Sequence, residues 1–123
     1  MYNEIIIARL YTCIEHIEAI ERYFKDVKNS EHFFSLDEGL HYDAALMRLQ
    51  SLGENLKRIS QKHPFVITDL AYSEIDNVIR FRDYVSHHYE QLEHAVVFDI
   101  CSIKIPELKS LHRYTYQKHE KKI

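Results

Sequence analysis

The sequence predicts an all-α protein, an up-down helical bundle of four main helices with one extra short or kinked helix near the C-terminus. Only two glycines and two prolines occur among the 123 residues, which leaves few residues for the tight turns of a β-protein. Long stretches repeat apolar residues at three- and four-residue steps, as amphipathic helices do. A chain of this length is the size of one domain, so residues 1–123 are expected to form a single domain.

The first two predicted helices show this periodicity most plainly. The apolar stripe of the first is formed by Ile6, Leu10, Cys13, Ile14, Ile17, Ile20, Phe24 and Val27. Residues 28–39 lose the period and contain one of the two glycines, so they are predicted to form the first connection. The stripe of the second helix is formed by Ala45, Leu49, Leu52, Leu56 and Ile59.

Proline and capping residues predict the remaining boundaries. The second helix should end at His63, because the residue before Pro64 is pushed out of the helical region. The third should begin near Tyr72 with Ser73 as its N-cap and Asp76 in its first turn. Pro106 should kink or restart the fourth helix. The segment from about residue 112 onward is basic, and we expect it to fray.

Charge and cysteine content argue against several classes of protein. A formal net charge of -3 does not suit a protein that coats nucleic acid non-specifically, so any RNA contact must be local. Cys13 and Cys101 lie in apolar helical patterns and are predicted to be reduced core thiols. No apolar run is long enough to span a membrane, and the first residues lack the basic region of a signal peptide. We therefore expect a cytoplasmic protein without membrane contact.

An arginine interrupts the apolar stripe of the third helix. The residues of this stripe are Tyr72, Ile75, Ile79, Arg82, Ser86 and Tyr89. Burying a guanidinium is costly unless it is paired or faces a wet cleft, so Arg82 needs either a partner or a function. A purely structural explanation, in which Arg82 pairs with a core acid such as Glu54 or reaches the surface, remains open at this point.

Helical geometry separates the polar residues of this segment. At about 100° per residue, Arg82 and Tyr89 lie within about 20° of each other, whereas His87 lies about 140° from Arg82. A concerted site therefore requires that the helix ends or distorts near residues 86–88, or that a second subunit contributes its own copy. A straight helix through Tyr89 in a monomer would count against a concerted site.

The third helix carries the sequence RDYVSHHY at residues 82–89, which fits the pattern Arg, four residues, His, any residue, Tyr. With this motif the chain resembles the HepT-like ribonuclease toxins of the HEPN group. These are the toxin halves of two-gene, type VII-like toxin-antitoxin modules whose antitoxin is a minimal nucleotidyltransferase. The resemblance also covers the long first helix and residues 51–56 and 105–109.

The resemblance implies roles for individual residues and partners. Arg82 and His87 correspond to the ribonuclease residues, with Asp83 and Ser86 in support, and Tyr89 corresponds to a tyrosine that the antitoxin can modify with AMP. Asp83 stands where the family usually has Asn, which bears on the local hydrogen bonds and on activity. The implied assembly is a homodimer that acts on RNA and forms a hetero-oligomer with the nucleotidyltransferase.

The chemistry of metal-free RNA cleavage agrees with these roles. It needs a base for the 2'-hydroxyl proton, an acid for the leaving oxygen and a cation for the charge on the phosphate. His87 can serve as base or acid at neutral pH, and the planar guanidinium of Arg82 can clamp a phosphate. Because one His per chain cannot easily make both proton transfers, a dimer that juxtaposes two motifs is attractive. No cofactor is expected.

Other polar residues of the helices receive weaker assignments. His88 points about 100° away from His87 and no carboxylate or Cys completes a ligand set, so it is interpreted as solvent-facing rather than as a metal ligand. Lys57, Arg58 and Arg80 could supplement a phosphate-binding rim, although charges on helices are usually just solvated.

Two further hypotheses compete with the ribonuclease. The chain could be a non-catalytic helical adaptor whose Arg82 and Tyr89 dock a nucleotidyltransferase partner, and the net negative charge fits this hypothesis slightly better. It could also be a helical dimer with a buried structural arginine. Replacing His87 by Ala separates the three, because only the ribonuclease should lose RNA cleavage.

Overall fold

A computed structural model of the chain describes residues 2–88 and 93–120 and confirms the all-α bundle. The α-helices are α1 (Glu4–Phe24), α2 (Ser30–Ser35), α3 (Leu40–Lys62), α4 (Pro64–Leu70), α5 (Ile75–His88), α6 (His94–Asp99) and α7 (Ile105–Glu120). A 3-10 turn at Leu36–Gly39 precedes α3, and a π-helical turn at Ile100–Lys104 joins α6 to α7. None of the helices in the described part is long and apolar enough to cross a membrane.

The core lies between the two longest helices and the helices that flank them. Helix α1 packs against α3 and α7, and α3 also packs against α5. The predicted stripes are the faces that are buried; for example, Leu10, Ile17, Leu52 and Leu56 are completely inaccessible to solvent. Cys13 and Cys101 are buried free thiols, as predicted. This packing holds α5, which carries the motif, across one face of α3.

Two short helices lie where connections were predicted. Helix α2 falls within residues 28–39 because Asn29 caps it by accepting a hydrogen bond from the His32 amide at 2.8 Å, and because Phe33 is buried. Helix α3 ends at Lys62, as His63 and Pro64 predict, but α4 begins at once with Pro64 in its first turn. Pro64 therefore both ends α3 and begins α4.

The start of α5 lies slightly later than predicted. It begins at Ile75, so Glu74 rather than Ser73 precedes its first residue, while Asp76 does lie in its first turn. The Ile75 amide instead donates to the Tyr72 carbonyl across the preceding turn at 3.2 Å.

The C-terminal segment is more ordered than the sequence indicates. The π-helical turn directly before α7 agrees with the restart predicted for Pro106. The expectation of fraying from about residue 112 is not met within the described residues, because α7 continues through Glu120. His112 and Thr115 are buried, and the His119 ring stacks on Tyr2 with 3.6 Å between centroids. These tertiary contacts keep the segment helical and packed against the core, although its basic composition alone favours a frayed, solvated end.

Candidate active site

A close approach between α3 and α5 positions Arg82. A Cβ atom built on Gly53 of α3 would lie 2.5 Å from the Arg82 Cβ and 3.0 Å from its Cγ. Such distances are far below van der Waals contact, so only glycine allows α5 to pack this closely here. The stem of Arg82 therefore lies directly against the backbone of α3, beside Glu54.

Two carboxylates contact the guanidinium of Arg82. Its Nη2 lies 2.8 Å from Glu54 Oε2, and its Nη1 donates to Asp83 Oδ1 at 2.9 Å. The pairing with Glu54 that the sequence left open is therefore present. The Arg82 side chain nevertheless remains 30% exposed, so it is not sealed in the core. Arg82 is therefore an ion-paired cation that solvent still reaches in part.

Arg82 forms part of the wall of a polar cleft between α1, α3 and α5. The cleft has a volume of about 480 Å³. All of its lining side chains are polar: His16, Gln50, Ser51, Glu54, Asn55, Arg58 and Arg82. Glu54 lies between the two arginines, with its Oε1 3.4 Å from Arg58 Nε. One carboxylate of the cleft therefore contacts both of its guanidinium groups.

Asp83 connects Arg82 electrostatically with the next turn of α5. Its pKa is lowered chiefly by the hydrogen bond from Arg82, and the nearby charges of Lys57 and His87 lower it further. Asp83 is therefore a carboxylate at neutral pH. His87 lies one turn further along the helix and is exposed to solvent. The motif thus presents an arginine, an anion and an imidazole along neighbouring faces of one helix.

Arg82 and His87 do not share one helix face within a single chain. Helix α5 is continuous from Ile75 to His88, so the break considered near residues 86–88 is not seen as far as His88. The angular separation of about 140° between the two residues therefore persists over the described helix.

The remaining predicted site residues divide by location. Arg58 lines the cleft, and Lys57 lies close enough to Asp83 to influence its ionisation. Arg80 is exposed and does not line the cleft. Ser86 belongs to α5, and Tyr89 lies outside the described residues. The structure thus brings Lys57 and Arg58 toward Arg82 and leaves Arg80 elsewhere.

Sequence reasoning missed several residues of this region, among them Gly53 and His16. Gly53 was available as a signal, since it is one of two glycines and lies inside a predicted helix, where glycine costs stability. His16 lies on α1, and its Nδ1 is 3.1 Å from Arg48 Nη1. Burial lowers the His16 pKa, and the positive charge of Arg48 lowers it further. No pattern along the chain could place His16 beside Arg82, because 66 residues separate them in the numbering.

Comparison with known proteins identifies the family. The family model of the HepT-like ribonucleases matches residues 13–114, a range that includes every residue lining the cleft and the Arg82–His87 pair. No curated protein and no solved structure matches the chain significantly. Since the match extends over most of the sequence, the chain belongs to the HepT-like ribonuclease family.

Proposed function

We propose that this chain is the toxin of a type VII-like toxin-antitoxin module and acts as a metal-independent endoribonuclease. The observation that carries the proposal is the position of Arg82, whose guanidinium is held at a polar cleft while the side chain stays 30% exposed. An RNA phosphate can displace Glu54 or Asp83 from some of its donors. Membership of a ribonuclease family supports the choice of RNA as substrate.

The reaction that fits these groups is attack of the 2'-hydroxyl on the adjacent phosphate. A base takes the 2'-hydroxyl proton, the 2'-oxygen bonds to phosphorus, and the bond to the 5'-oxygen breaks as an acid protonates that oxygen. The products are a 2',3'-cyclic phosphate and a 5'-hydroxyl. His87 supplies the proton transfers, and Arg82 stabilises the charge that builds on the phosphate oxygens.

The proposed enzyme is a homodimer. One exposed His87 per chain cannot easily make both proton transfers, and it lies on a different face of α5 from Arg82. Two α5 helices related by a two-fold axis would place each motif beside the other, so that one His87 acts as base and the second as acid.

The proposed partner is a nucleotidyltransferase antitoxin that silences the enzyme by attaching AMP to Tyr89. Tyr89 follows Arg82 by seven residues in the sequence, which is close to two turns of a helix. The added phosphate would compete with RNA for Arg82, since both are anions that need the same donors.

A non-catalytic adaptor is the second candidate. The observation that favours it is the contact of Arg82 with two carboxylates, Glu54 and Asp83, which partly neutralises the cation needed for catalysis. The net charge of -3 also disfavours RNA. In this case the arginine would orient the chain for its nucleotidyltransferase partner.

RNA cleavage by the unmodified protein tests the proposal directly. The protein is purified without antitoxin and incubated with RNA without added metal, beside Arg82→Ala, His87→Ala and the control Arg80→Ala. Cleavage by the native protein and the control, but not by the first two variants, supports the ribonuclease. Equal inactivity or equal activity of all four folded proteins would favour the adaptor.

A further inference from the structure

The cleft beside Arg82 combines side chains of three helices, all of them polar. The groove at Phe81, Tyr84 and Val96 is largely apolar, and the groove at Glu18, Glu21, Arg22 and Lys25 is lined by α1 alone. Its volume of about 480 Å³ falls within the range of roughly 300–1,000 Å³ that is usual for small-molecule sites. The cleft also opens at Arg82, the residue to which the proposed function assigns the RNA phosphate.

We propose that this cleft holds one nucleotide of a single-stranded RNA, next to the phosphate contacted by Arg82, and that His16 and Asn55 hydrogen-bond to its base. The inference rests on the proposed ribonuclease function, because it specifies which part of the substrate that same site recognises. It makes His16 and Asn55 specificity-determining residues rather than catalytic ones.

The hydrogen bond from Arg48 determines what His16 offers to a ligand. An arginine can only donate, so the His16 Nδ1 at 3.1 Å must carry the lone pair and the ring proton must be on Nε2. Burial and Arg48 lower the pKa of His16, so the ring stays neutral at physiological pH. A neutral ring with one oriented N–H suits an acceptor on a base edge better than it suits a phosphate.

Helix α3 supplies complementary groups opposite His16. Ser51 and Asn55 are one helical turn apart and therefore lie on the same face of α3, and both line the cleft. A side-chain amide carries both an acceptor and two donors, which matches the mixed donors and acceptors of a Watson–Crick edge. Single-stranded RNA presents such edges, since its bases are unpaired.

The charges in the cleft indicate the orientation of the nucleotide. Arg58 and Arg82 both contact Glu54, while His16, Ser51 and Asn55 are uncharged at physiological pH. A phosphate is therefore favoured beside the arginines, and a neutral base beside the uncharged side chains.

The test compares cleavage-site preference in the unmodified native protein and three variants. An RNA that contains every dinucleotide step is digested by the native protein, His16→Ala, Asn55→Ala and the matched control Gln61→Ala, an exposed amide residue of α3 outside the cleft. We expect the two cleft variants to lower the ratio of kcat/KM for the preferred over the disfavoured base by about fivefold, the value of one hydrogen bond. The control should keep the native ratio.

A conservative variant separates recognition from folding. His16→Gln keeps an N–H donor near the position of Nε2, so it should retain more of the preference than His16→Ala at equal thermal stability. An unchanged base preference in both cleft variants would overturn the inference. A base preference that falls only in proportion to the fraction of folded protein would overturn it as well.

A binding measurement distinguishes failure of this inference from failure of the proposed function. The four nucleoside 3'-monophosphates are titrated into the native protein, and the side-chain amide signals of Asn55 and Gln61 are followed by NMR. A shift of the Asn55 signal alone supports a nucleotide site even if the protein cuts no RNA, in which case only the ribonuclease proposal fails. The absence of any Asn55 shift at millimolar nucleotide overturns the inference, whether or not RNA is cleaved.

Discussion

Gly53 and Arg82 occupy the closest approach between α3 and α5, where a methyl group on Gly53 would lie 2.5 Å from the Arg82 Cβ. Because Glu54 follows Gly53 directly, the same contact that brings the helices together also brings a carboxylate within 2.8 Å of the guanidinium. The packing of the core and the placement of the proposed catalytic cation therefore depend on one glycine.

Gly53→Ala should destabilise the protein and reduce RNA cleavage. Alanine is the better helix former by about 1 kcal/mol, but overpacking against Arg82 costs about 1–3 kcal/mol, so the net change in unfolding free energy should be unfavourable. Urea unfolding and cleavage assays measure the two effects.

A double-mutant comparison identifies the clash as the cause of that loss. The Arg82→Ala background removes the Cγ at 3.0 Å but keeps the closer Cβ, so it should reduce the cost of Gly53→Ala less than the Arg82→Gly background does. An identical cost in both backgrounds would show that the contact with the Arg82 Cβ is not responsible.

Asp83→Asn should increase the efficiency of RNA cleavage. The substitution removes one of the two carboxylates beside Arg82 and keeps an oxygen that can accept from Nη1. Because an exposed ion pair contributes little, kcat/KM should rise by no more than about fivefold, with most of the change in KM. Asp76→Asn on the same helix is the control and should leave kcat/KM unchanged. A decrease for Asp83→Asn would instead assign Asp83 a role in positioning Arg82.

A symmetric dimeric site predicts a particular response to subunit mixing. Native protein and His87→Ala are mixed, unfolded together and refolded so that subunits exchange. If both His87 residues are needed at one site, only native homodimers cut RNA, and an equal mixture should retain about one quarter of the activity. A mixture with Arg80→Ala should retain nearly all of it. A value of about one half with His87→Ala would show that each subunit works independently.

The buried His112 should make the protein less stable in mild acid. Its Nδ1 donates to the Leu108 carbonyl at 2.9 Å, and burial lowers its pKa to about 4. The unfolded chain binds this proton below about pH 6.5 and the folded chain does not, so the unfolding free energy falls as the pH drops from about 6.5 to about 4. The total loss should be about 3 kcal/mol. The loss is measured by comparing how the unfolding free energy of the native protein and of His112→Leu depends on pH.

The neighbouring buried residue of α7 provides the control for this prediction. Thr115→Val removes a buried polar group that does not titrate, so it should keep the native dependence on pH. If His112→Leu and the native protein show the same pH dependence, the His112 ring does not remain neutral in the folded state.

Ala71→Gly should stabilise the protein. Ala71 ends α4 with a φ of 53°, in the left-handed region where a Cβ is strained. Relief of that strain exceeds the entropic cost of glycine in the unfolded chain, so the unfolding free energy should rise by about 0.5–1 kcal/mol. Ala8→Gly, at an exposed position inside α1, should lower it by about 1 kcal/mol. Thermal unfolding of both variants checks the opposite signs.

The sequence by itself determined the all-α class, the long helices, the buried thiols and the unusual position of Arg82. These features depend on local properties, because a period of 3.6 residues and the conformational limits of proline act within a few residues of the chain. The same local information explains why α3 ends before Pro64 and why the helix changes to a π-helical turn just before Pro106.

Only the tertiary structure decided what Arg82 contacts and what lies opposite it. The pairing with Glu54, the contact with Gly53 and the placement of His16 across the cleft depend on how α1, α3 and α5 are rotated against one another. Those rotations depend on how side chains pack over the whole core. A short stretch of sequence does not contain that information. For the same reason the basic C-terminal segment is held in α7: burial of His112 and Thr115 outweighs a local composition that favours fraying.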